Sequence, residues 1–271
     1  MQVTTTARRR LGPVAQAVAP HWFWRRKYKI LARLGDARAD VRLAREMCDP
    51  NRVSLDIGAD VGEFTIAMLA SSRSVVAFEP RPAQADVLTA MFEAVDAPVR
   101  VETVALSDRE GVTTMRVWES APGQSTIEVG NSLADAGGDP VQAIEVSMRR
   151  LDDLQLSNVG FIKVDVEGHE LAVLTGAENT IRRDRPTLLI EAEERHRPNA
   201  VASLASFLAG LGYSGYFQLN GATLPVEEFD TARYQNPANI GDHADGWAVN
   251  GTYINDFIFL PKGRCASADR W

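Results

Sequence analysis

The stretch of sequence that decides the fold is VSLDIGADVG, residues 53–62. Its first half predicts a short buried strand, and the glycines Gly58 and Gly62 follow directly. A buried strand that runs through such a turn into a helix is typical of the first βα unit of an open α/β sheet. Ligands bind beside that turn, because it lies at the carboxyl ends of the parallel strands.

Outward from this stretch, short apolar runs alternate with helical patterns. Further buried strands are predicted at residues 74–78, 99–106, 161–166 and 187–191, and two or three more in 112–150. The last two strands, at 213–219 and 253–260, have no helical pattern between them and are expected to form an antiparallel pair at one edge. The alternation predicts an α/β fold with a doubly wound sheet and right-handed crossovers.

The composition is that of an ordinary globular protein, with 45% apolar and 24% charged residues in a chain of 271. A chain of that length buries a full core without disulfides. No stretch approaches the ~18 consecutive apolar residues of a membrane-spanning helix, which excludes an integral membrane protein. Cys48 and Cys265 match no metal-ligand spacing and are expected to be free thiols, which favours a cytoplasmic location. The run RRRLG at 8–12 only loosely imitates a twin-arginine signal, because the apolar part after it is short and interrupted.

Charge is spread unevenly along the chain. Residues 1–45 hold eleven Lys and Arg against two Asp, a balance of +9, while the other 226 residues carry −16. We expect a basic helical arm or cap at 1–50, a main domain at 51–263 and a short tail at 264–271. The acidic main part argues against a nucleic-acid enzyme. The aromatic cluster WFW at 22–24 either packs on the main domain, which we prefer, or contacts a membrane surface or an acidic partner.

The turn after the first strand favours a cationic ligand. Asp60 stands where the dinucleotide-binding fingerprint has its middle glycine, and no Gly-Lys-Ser/Thr follows. A pyrophosphate there would meet the carboxylates of Asp56 and Asp60. S-adenosylmethionine carries a sulfonium and an ammonium group and no phosphate, so it suits these residues better. Gly58 permits a tight turn or a close approach of ligand to backbone, and Gly62 lets the next helix start near the strand.

Two further strand ends carry candidate cofactor ligands. Glu79 ends the second strand, 23 residues after Asp56, where a carboxylate can accept hydrogen bonds from both hydroxyls of an adenosine ribose. Alone it would be interpreted as a solvated loop residue, but its distance from the glycine turn favours ribose binding. Ser107 and Asp108 follow the third strand, where they either contact the adenine amino group or simply form a turn.

The densest ionisable cluster lies at the end of the fourth strand. The run KVDVEGHE at 163–170 has five ionisable residues. Asp165 closes a buried strand and is expected to face the ligand crevice, whereas Glu167 and Glu170 are also explained as acids in the first turn of a helix. Glu191 closes the fifth strand. The set Asp165, Glu191 and His196 could ligate a divalent metal, but no spacing requires one, so the sequence leaves a metal undecided and no metal ligand is assigned.

The order of these blocks resembles the FkbM-type methyltransferases over about residues 53–195. The resemblance is carried by LDIGADVG at 55–62, AFEP at 77–80, LDDL at 151–154, FIKVDVEGHE at 161–170, RP at 185–186 and LIE at 189–191. It implies a class I, Rossmann-like fold that uses S-adenosylmethionine, and O-methylation of hydroxyls in polyketides, sugars or glycolipids.

By position, the resemblance implies that Asp56, Gly58 and Gly62 line the methionine end of the cofactor. Glu79 would bind the ribose, and Asp165 would lie in the methyl-transfer zone. Asp60 departs from the family, which usually has a neutral residue there.

The sequence therefore predicts an S-adenosylmethionine-dependent O-methyltransferase that acts on a small molecule or glycan, with oligomerisation possible. The general base is Asp165, His169 or Glu191, with a slight preference for His169 at a helix start, where the helix dipole favours a neutral imidazole. No Asn/Asp-Pro-Pro-Tyr/Phe motif follows the fourth strand, which argues against methylation of nucleic-acid bases.

Two alternatives stay open at the level of sequence. One is a nucleotide-dependent oxidoreductase, and the other is a cofactor-binding scaffold without turnover. The segments 14–50 and 222–252, which contain Trp22, Trp24, Tyr234 and Trp247, are expected to have no place in the sheet. We expect them to cover the acceptor site as a lid.

Overall fold

The structure is a computed structural model that describes residues 21–131, 133, 139–240 and 251–263. Two helices, α1 (His21–Ala37) and α2 (Ala39–Met47), precede the first strand. The basic run at 8–10, Trp247, Cys265 and the tail at 264–271 lie outside the described residues. Within the described residues, no helix combines the length and the apolar character that crossing a membrane requires.

Strands and helices then alternate as the sequence pattern predicts. The first half contains β1 (Val53–Ile57), α3 (Glu63–Leu69), β2 (Ser74–Phe78), α4 (Pro82–Glu93), β3 (Val99–Glu102), β4 (Ala105–Leu106), β5 (Gly111–Trp118) and β6 (Val141–Arg149). The second half contains β7 (Val159–Val164), α5 (Glu170–Thr175), α6 (Glu178–Asp184), β8 (Thr187–Glu191), α7 (Ala200–Gly210), β9 (Tyr213–Leu219), β10 (Ala222–Pro225), α8 (Thr231–Tyr234) and β11 (Asp256–Pro261).

An eight-stranded sheet forms the centre, in the order β10-β9-β11-β8-β7-β1-β2-β3. The five strands from β8 to β3 in that order run parallel. The strand order reverses beside β1, and helices cover both faces, which confirms the predicted doubly wound α/β fold. Since β1 and β7 are neighbours, the turn after β1 lies next to the end of β7.

The predicted antiparallel pairing of the last two strands is confirmed, because β11 runs antiparallel to β9. β11 is not at the edge, however: it lies between β9 and β8. The edge strand is β10, so the expectation that residues 222–252 have no place in the sheet is wrong. β10 has no fully buried residue and ends in Pro225, so its sequence lacks the apolar run that marks an interior strand.

The single strand predicted over 99–106 is also wrong, because the chain bends after Glu102. Val104 N–H donates to the carbonyl of Glu102 at 3.0 Å, and β4 then leaves the main sheet. β4 joins β5 and β6 in a separate three-stranded sheet. The strands expected in 112–150 are thereby confirmed, and this small sheet stands beside the carboxyl ends of the main one.

The first two helices pack on the face of the sheet that α3 and α4 cover. Trp24 and Leu31 of α1 are buried in one cluster with Leu88 and Phe92 of α4. Arg25 Nε donates to the carbonyl of Ala94 at 2.8 Å and fastens the helix there. The preferred interpretation of the aromatic cluster therefore holds for Trp24.

Candidate active site

A cavity of about 230 Å³ opens at the carboxyl ends of the parallel strands. It lies between the turn after β1, the ends of β2, β7 and β8, and the loop at 122–127 beside the small sheet. Six carboxylates and three cations line it: Asp60, Glu63, Glu79, Asp165, Glu167 and Glu191, with Arg38, Arg81 and Lys163.

The two glycines of the turn serve packing inside the protein. Gly58 has φ +86°, and a Cβ there would lie 1.8 Å from the carbonyl oxygen of Asp165. Only glycine therefore lets the turn after β1 cross the end of β7. Gly62 has φ +90°, and a Cβ there would lie 2.8 Å from Leu88 Cδ2. Gly58 lines the cavity, whereas Gly62 lies behind it, at the start of α3.

At the end of the cavity beside the turn after β1, Glu79 is buried and holds the turn. Its Oε2 accepts from the Asp60 N–H and from Arg81 Nη2, both at 3.0 Å. Its Oε1 accepts from the Arg81 N–H at 2.9 Å and from Arg81 Nε at 2.8 Å. A carboxylate has about four acceptor positions, so protein donors fill all of them in this structure.

Arg81 is the residue of this end that sequence reasoning missed. Its Nη2 also lies 2.6 Å from Asp60 Oδ1, and its Nη1 donates to the carbonyl of Pro122 at 2.5 Å. Burial alone would lower the pKa of Arg81, but the hydrogen bonds and charges of Glu79 and Asp60 raise it above its usual value. Its position two residues after Glu79 was the available signal.

Asp56 lies beneath the cavity and does not line it. It is fully buried, and its Oδ2 accepts from Thr65 Oγ1 at 2.5 Å. Its Oδ1 has no hydrogen-bond partner among the described residues. Burial raises the pKa of Asp56 to about 6, although Lys163 and the Thr65 hydroxyl oppose the rise.

The end of β7 places a buried cation against Asp165. Lys163 Nζ lies 2.7 Å from Asp165 Oδ2 and 4.4 Å from the ring centre of Phe64. Burial alone would lower the pKa of Lys163, but Asp165, Asp56 and Glu191 raise it. Asp165 lines the cavity as predicted, and it does so as half of an ion pair.

His169 also lines the cavity and is held at both ring nitrogens. Nδ1 lies 3.0 Å from Glu128 Oε2, and Nε2 lies 2.9 Å from Ser107 Oγ. Because a carboxylate only accepts, Nδ1 carries a proton, and in the neutral imidazole Nε2 is then the acceptor for the Ser107 hydroxyl. Ser107 and Asp108 do not line the cavity, and Ser107 Oγ lies 3.2 Å from Asp108 Oδ1. Glu128 was missed, since it lies in an irregular loop far away in sequence.

The end of the cavity at β7 and β8 is rich in buried acids. Glu191 Oε1 accepts from Asn255 Nδ2 at 2.6 Å, and Asp256 lies opposite Glu191 in the sheet. Burial raises the pKa of Glu191 well above its usual value, and the charges of Asp165 and Asp256 raise it further. Burial, with the charge of Asp40, raises the pKa of Asp256 to about 7. Burial and the charge of Asp165 likewise raise the pKa of Glu167.

The described residues that approach a metal-ligand set are Glu167, Glu193 and His196, whose ligand atoms lie within 4.8 Å of one another. This is not the set of Asp165, Glu191 and His196 considered from sequence. His196 Nδ1 lies 3.0 Å from Glu167 Oε2, and Arg195 binds both oxygens of Glu193 at 2.6 and 2.9 Å. The guanidinium of Arg195 therefore already pairs with one of the two carboxylates in this set.

The two segments expected to form a lid differ in their relation to the cavity. Arg38, between α1 and α2, lines it and pairs with Asp40 and, at 3.0 Å, with Glu63. No described residue of 222–252 lines it. Tyr234 packs on Phe217 and Phe229 instead, beneath β9.

The sheet order, the ligand crevice at its carboxyl edge and the antiparallel β11 define the chain as a class I, Rossmann-like methyltransferase fold. The chain belongs to the FkbM methyltransferase family: the family model described as the methyltransferase FkbM domain matches residues 56–214. The predicted family is thereby confirmed.

Individual relatives cover part of the chain. The 31-O-demethyl-FK506 methyltransferase FkbM of Streptomyces tacrolimicus is 28% identical over 194 residues, 61% of this chain and 74% of its own. The hexuronic acid methyltransferase AglP of Haloferax volcanii is 27% identical over 154 residues, 55% of this chain and 61% of its own. A crystal structure of methyltransferase FkbM from Methylobacillus flagellatus shares 18% identity, with a TM-score of 0.49, over 78% of this chain and 44% of that one.

Proposed function

We propose that the protein transfers a methyl group from S-adenosylmethionine to a hydroxyl oxygen of a small molecule or glycan. The observation that carries this proposal is the acid-rich cavity at the carboxyl edge of an FkbM-family sheet. The free thiol of Cys48 supports a cytoplasmic location for the protein.

The charge of the cavity fits a cationic cofactor. Each of its three cations is already in an ion pair, Arg38 with Glu63, Arg81 with Glu79 and Lys163 with Asp165. A pyrophosphate would therefore meet carboxylates without an unpaired cation among the described lining residues. The sulfonium and ammonium groups of S-adenosylmethionine are positively charged and would be attracted by the same carboxylates. The charge of the cavity therefore favours S-adenosylmethionine over a nicotinamide dinucleotide.

Within the cavity, we assign the turn at 58–61 and Glu79 to the cofactor, with Asp165 facing its methyl-bearing part. S-adenosylmethionine supplies an electrophilic methyl group, and the acceptor oxygen must approach it in line. All four acceptor positions of Glu79 are filled in this structure. Glu79 can therefore bind the ribose hydroxyls only if Arg81 gives up some of its hydrogen bonds to the Glu79 carboxylate. In the protein without cofactor, Arg81 therefore forms the ion pair with Glu79 that the ribose would replace in part.

The proton of the acceptor hydroxyl needs a base, and the geometry supports His169. Glu128 holds Nδ1–H and stabilises the imidazolium that forms when Nε2 takes a proton. Ser107 occupies Nε2 in this structure, but its hydroxyl has Asp108 Oδ1 at 3.2 Å as an alternative acceptor. Rotation of one hydroxyl therefore frees Nε2 for the acceptor. Glu191 is the second candidate, since a carboxylate with a raised pKa is a stronger base when ionised.

The acceptor is best a neutral hydroxyl compound. Asp165, Glu167 and Glu191 line the cavity at the ends of β7 and β8, and their ionised forms would repel an anionic acceptor. The relative from Streptomyces tacrolimicus is named for an oxygen of a small molecule, which supports O-methylation here.

Calorimetry with S-adenosylhomocysteine and with NAD tests the cofactor. We expect binding of the former alone, and preferential binding of NAD would favour the oxidoreductase alternative instead. A screen of glycosides and polyketide alcohols with S-adenosylmethionine then tests turnover by mass gain. Cofactor binding without product from any hydroxyl acceptor would support a scaffold.

A further inference from the structure

One surface of the protein takes no part in the proposed reaction, the outward side of α1. Trp22, Ile30 and Leu34 are 61%, 47% and 53% exposed. They are half of the large apolar side chains that are exposed in the described part of the chain. Three of six such residues on one helix make a patch.

Cations lie among these apolar side chains. Trp22, Arg26, Ile30 and Leu34 follow one another at intervals of four, and Lys29 and Arg33 fall on the same side of the helix. We call these six residues the α1 outer face. All six are exposed, and within the described ranges Arg26, Lys29 and Arg33 form no ion pair.

The inner side of α1 fixes this orientation. Trp24 and Leu31 are buried against α4, and Arg25 is hydrogen-bonded to Ala94. A rotation of the helix that hid Trp22 or Leu34 would take Trp24 and Leu31 out of that core. The α1 outer face therefore stays exposed. Of the aromatic cluster at 22–24, Trp24 packs in the core and Trp22 lies on the surface.

We propose that the α1 outer face docks the protein on an anionic lipid bilayer. Tryptophan prefers the membrane–water interface, aliphatic side chains enter the acyl boundary, and Lys and Arg are attracted by anionic headgroups. Residues 1–20, which precede the helix, add three arginines and no acid. Nucleic acid would satisfy the cations but leave Ile30 and Leu34 in water.

The negative charge of the remaining chain restricts membrane contact to the α1 side of the protein. Residues 46–271 carry −16, so an anionic surface repels the rest of the protein while it attracts the arm. Docking is thus specific to one face even though the whole chain is acidic.

Flotation of the full-length protein with phosphatidylcholine vesicles, with and without phosphatidylserine, tests the proposal. We expect binding only to the vesicles with phosphatidylserine, weakened by salt. The triple variant Arg26→Gln, Lys29→Gln, Arg33→Gln should lose about 100-fold in partition, at about fivefold per cation. Trp22→Ala should lose roughly tenfold at any salt concentration. A control with the same charge change, Arg73→Gln, Arg109→Gln, Arg149→Gln, alters exposed cations elsewhere and should bind like the unaltered protein.

Three results would overturn the proposal. The first is the absence of binding to phosphatidylserine vesicles, and the second is equal loss in the triple variant and its control. The third is tight binding to heparin or DNA with no effect of Trp22→Ala, which would identify a general polyanion surface. Thermal unfolding of each variant, followed by circular dichroism, checks that the variants are folded when their binding is compared.

Discussion

The two ends of the cavity are both acidic, but their charges are balanced in different ways. At the turn after β1, the guanidinium of Arg81 pairs with both Glu79 and Asp60. At the ends of β7 and β8, one ammonium, that of Lys163, faces several buried acids, and the pKa values of Glu191 and Asp256 rise. On the proposed function, the first end binds the cofactor and the second exchanges protons.

The strongest test of this division is at His169. His169→Ala should lower kcat by about 10²–10⁴-fold, the usual contribution of one general base, and leave the affinity for S-adenosylhomocysteine nearly unchanged. Glu128→Gln should lower kcat by less, since the imidazole stays in place without its carboxylate. Steady-state kinetics and calorimetry measure the two effects. Near-normal turnover of His169→Ala together with an inactive Glu191→Gln would move the base to β8.

The next effect is at the opposite end of the cavity. Glu79→Ala should weaken the binding of S-adenosylhomocysteine by about 1.5–3 kcal/mol, because hydrogen bonds to a charged acceptor are lost. Glu102→Ala removes a carboxylate at the end of the neighbouring strand β3, outside the cavity lining, and serves as the matched control. Unchanged affinity in a folded Glu79→Ala protein would show that the ribose lies elsewhere.

The buried acids also predict how stability depends on pH. Burial raises the pKa of Glu170 to about 7, and that of Asp256 also rises to about 7. In the unfolded chain these groups have already ionised at lower pH, so the folded state binds more protons between about pH 4.5 and 7. Stability should therefore fall as pH rises through this window, by about 1–3 kcal/mol.

Urea unfolding at pH 5.5 and pH 8 measures that change. Glu170→Gln removes one titrating group and should reduce the difference between the two pH values. A protein that is more stable at pH 8, with the same difference in Glu170→Gln, would contradict the raised pKa values.

The smallest expected effect concerns Arg81. If its guanidinium competes with the ribose for Glu79, Arg81→Gln should leave cofactor affinity unchanged or raise it by up to about 1 kcal/mol. Calorimetry with S-adenosylhomocysteine, carried out on Arg81→Gln and Glu79→Ala side by side, measures this change in affinity. A loss as large as that of Glu79→Ala would mean that Arg81 itself binds the cofactor.

Sequence patterns predicted the sheet well because the strands that form its centre are apolar runs with a clear period. They missed β10 and the bend after Glu102, where exposed residues and a local hydrogen bond decide the path. In the cavity, strand-end position predicted Glu79, Asp165 and Glu191. It could not predict Arg81 and Glu128, because their partners are set by how loops fold back over the sheet.

The most direct test of the division between the two ends is a crystal structure of the complex with S-adenosylhomocysteine. We expect the ribose hydroxyls against Glu79, with Arg81 moved aside, and the sulfur directed toward Asp165 and the side of His169. A complex with the ribose among Glu167 and Glu191, or with the ligand outside the cavity, would contradict the assignment of both ends.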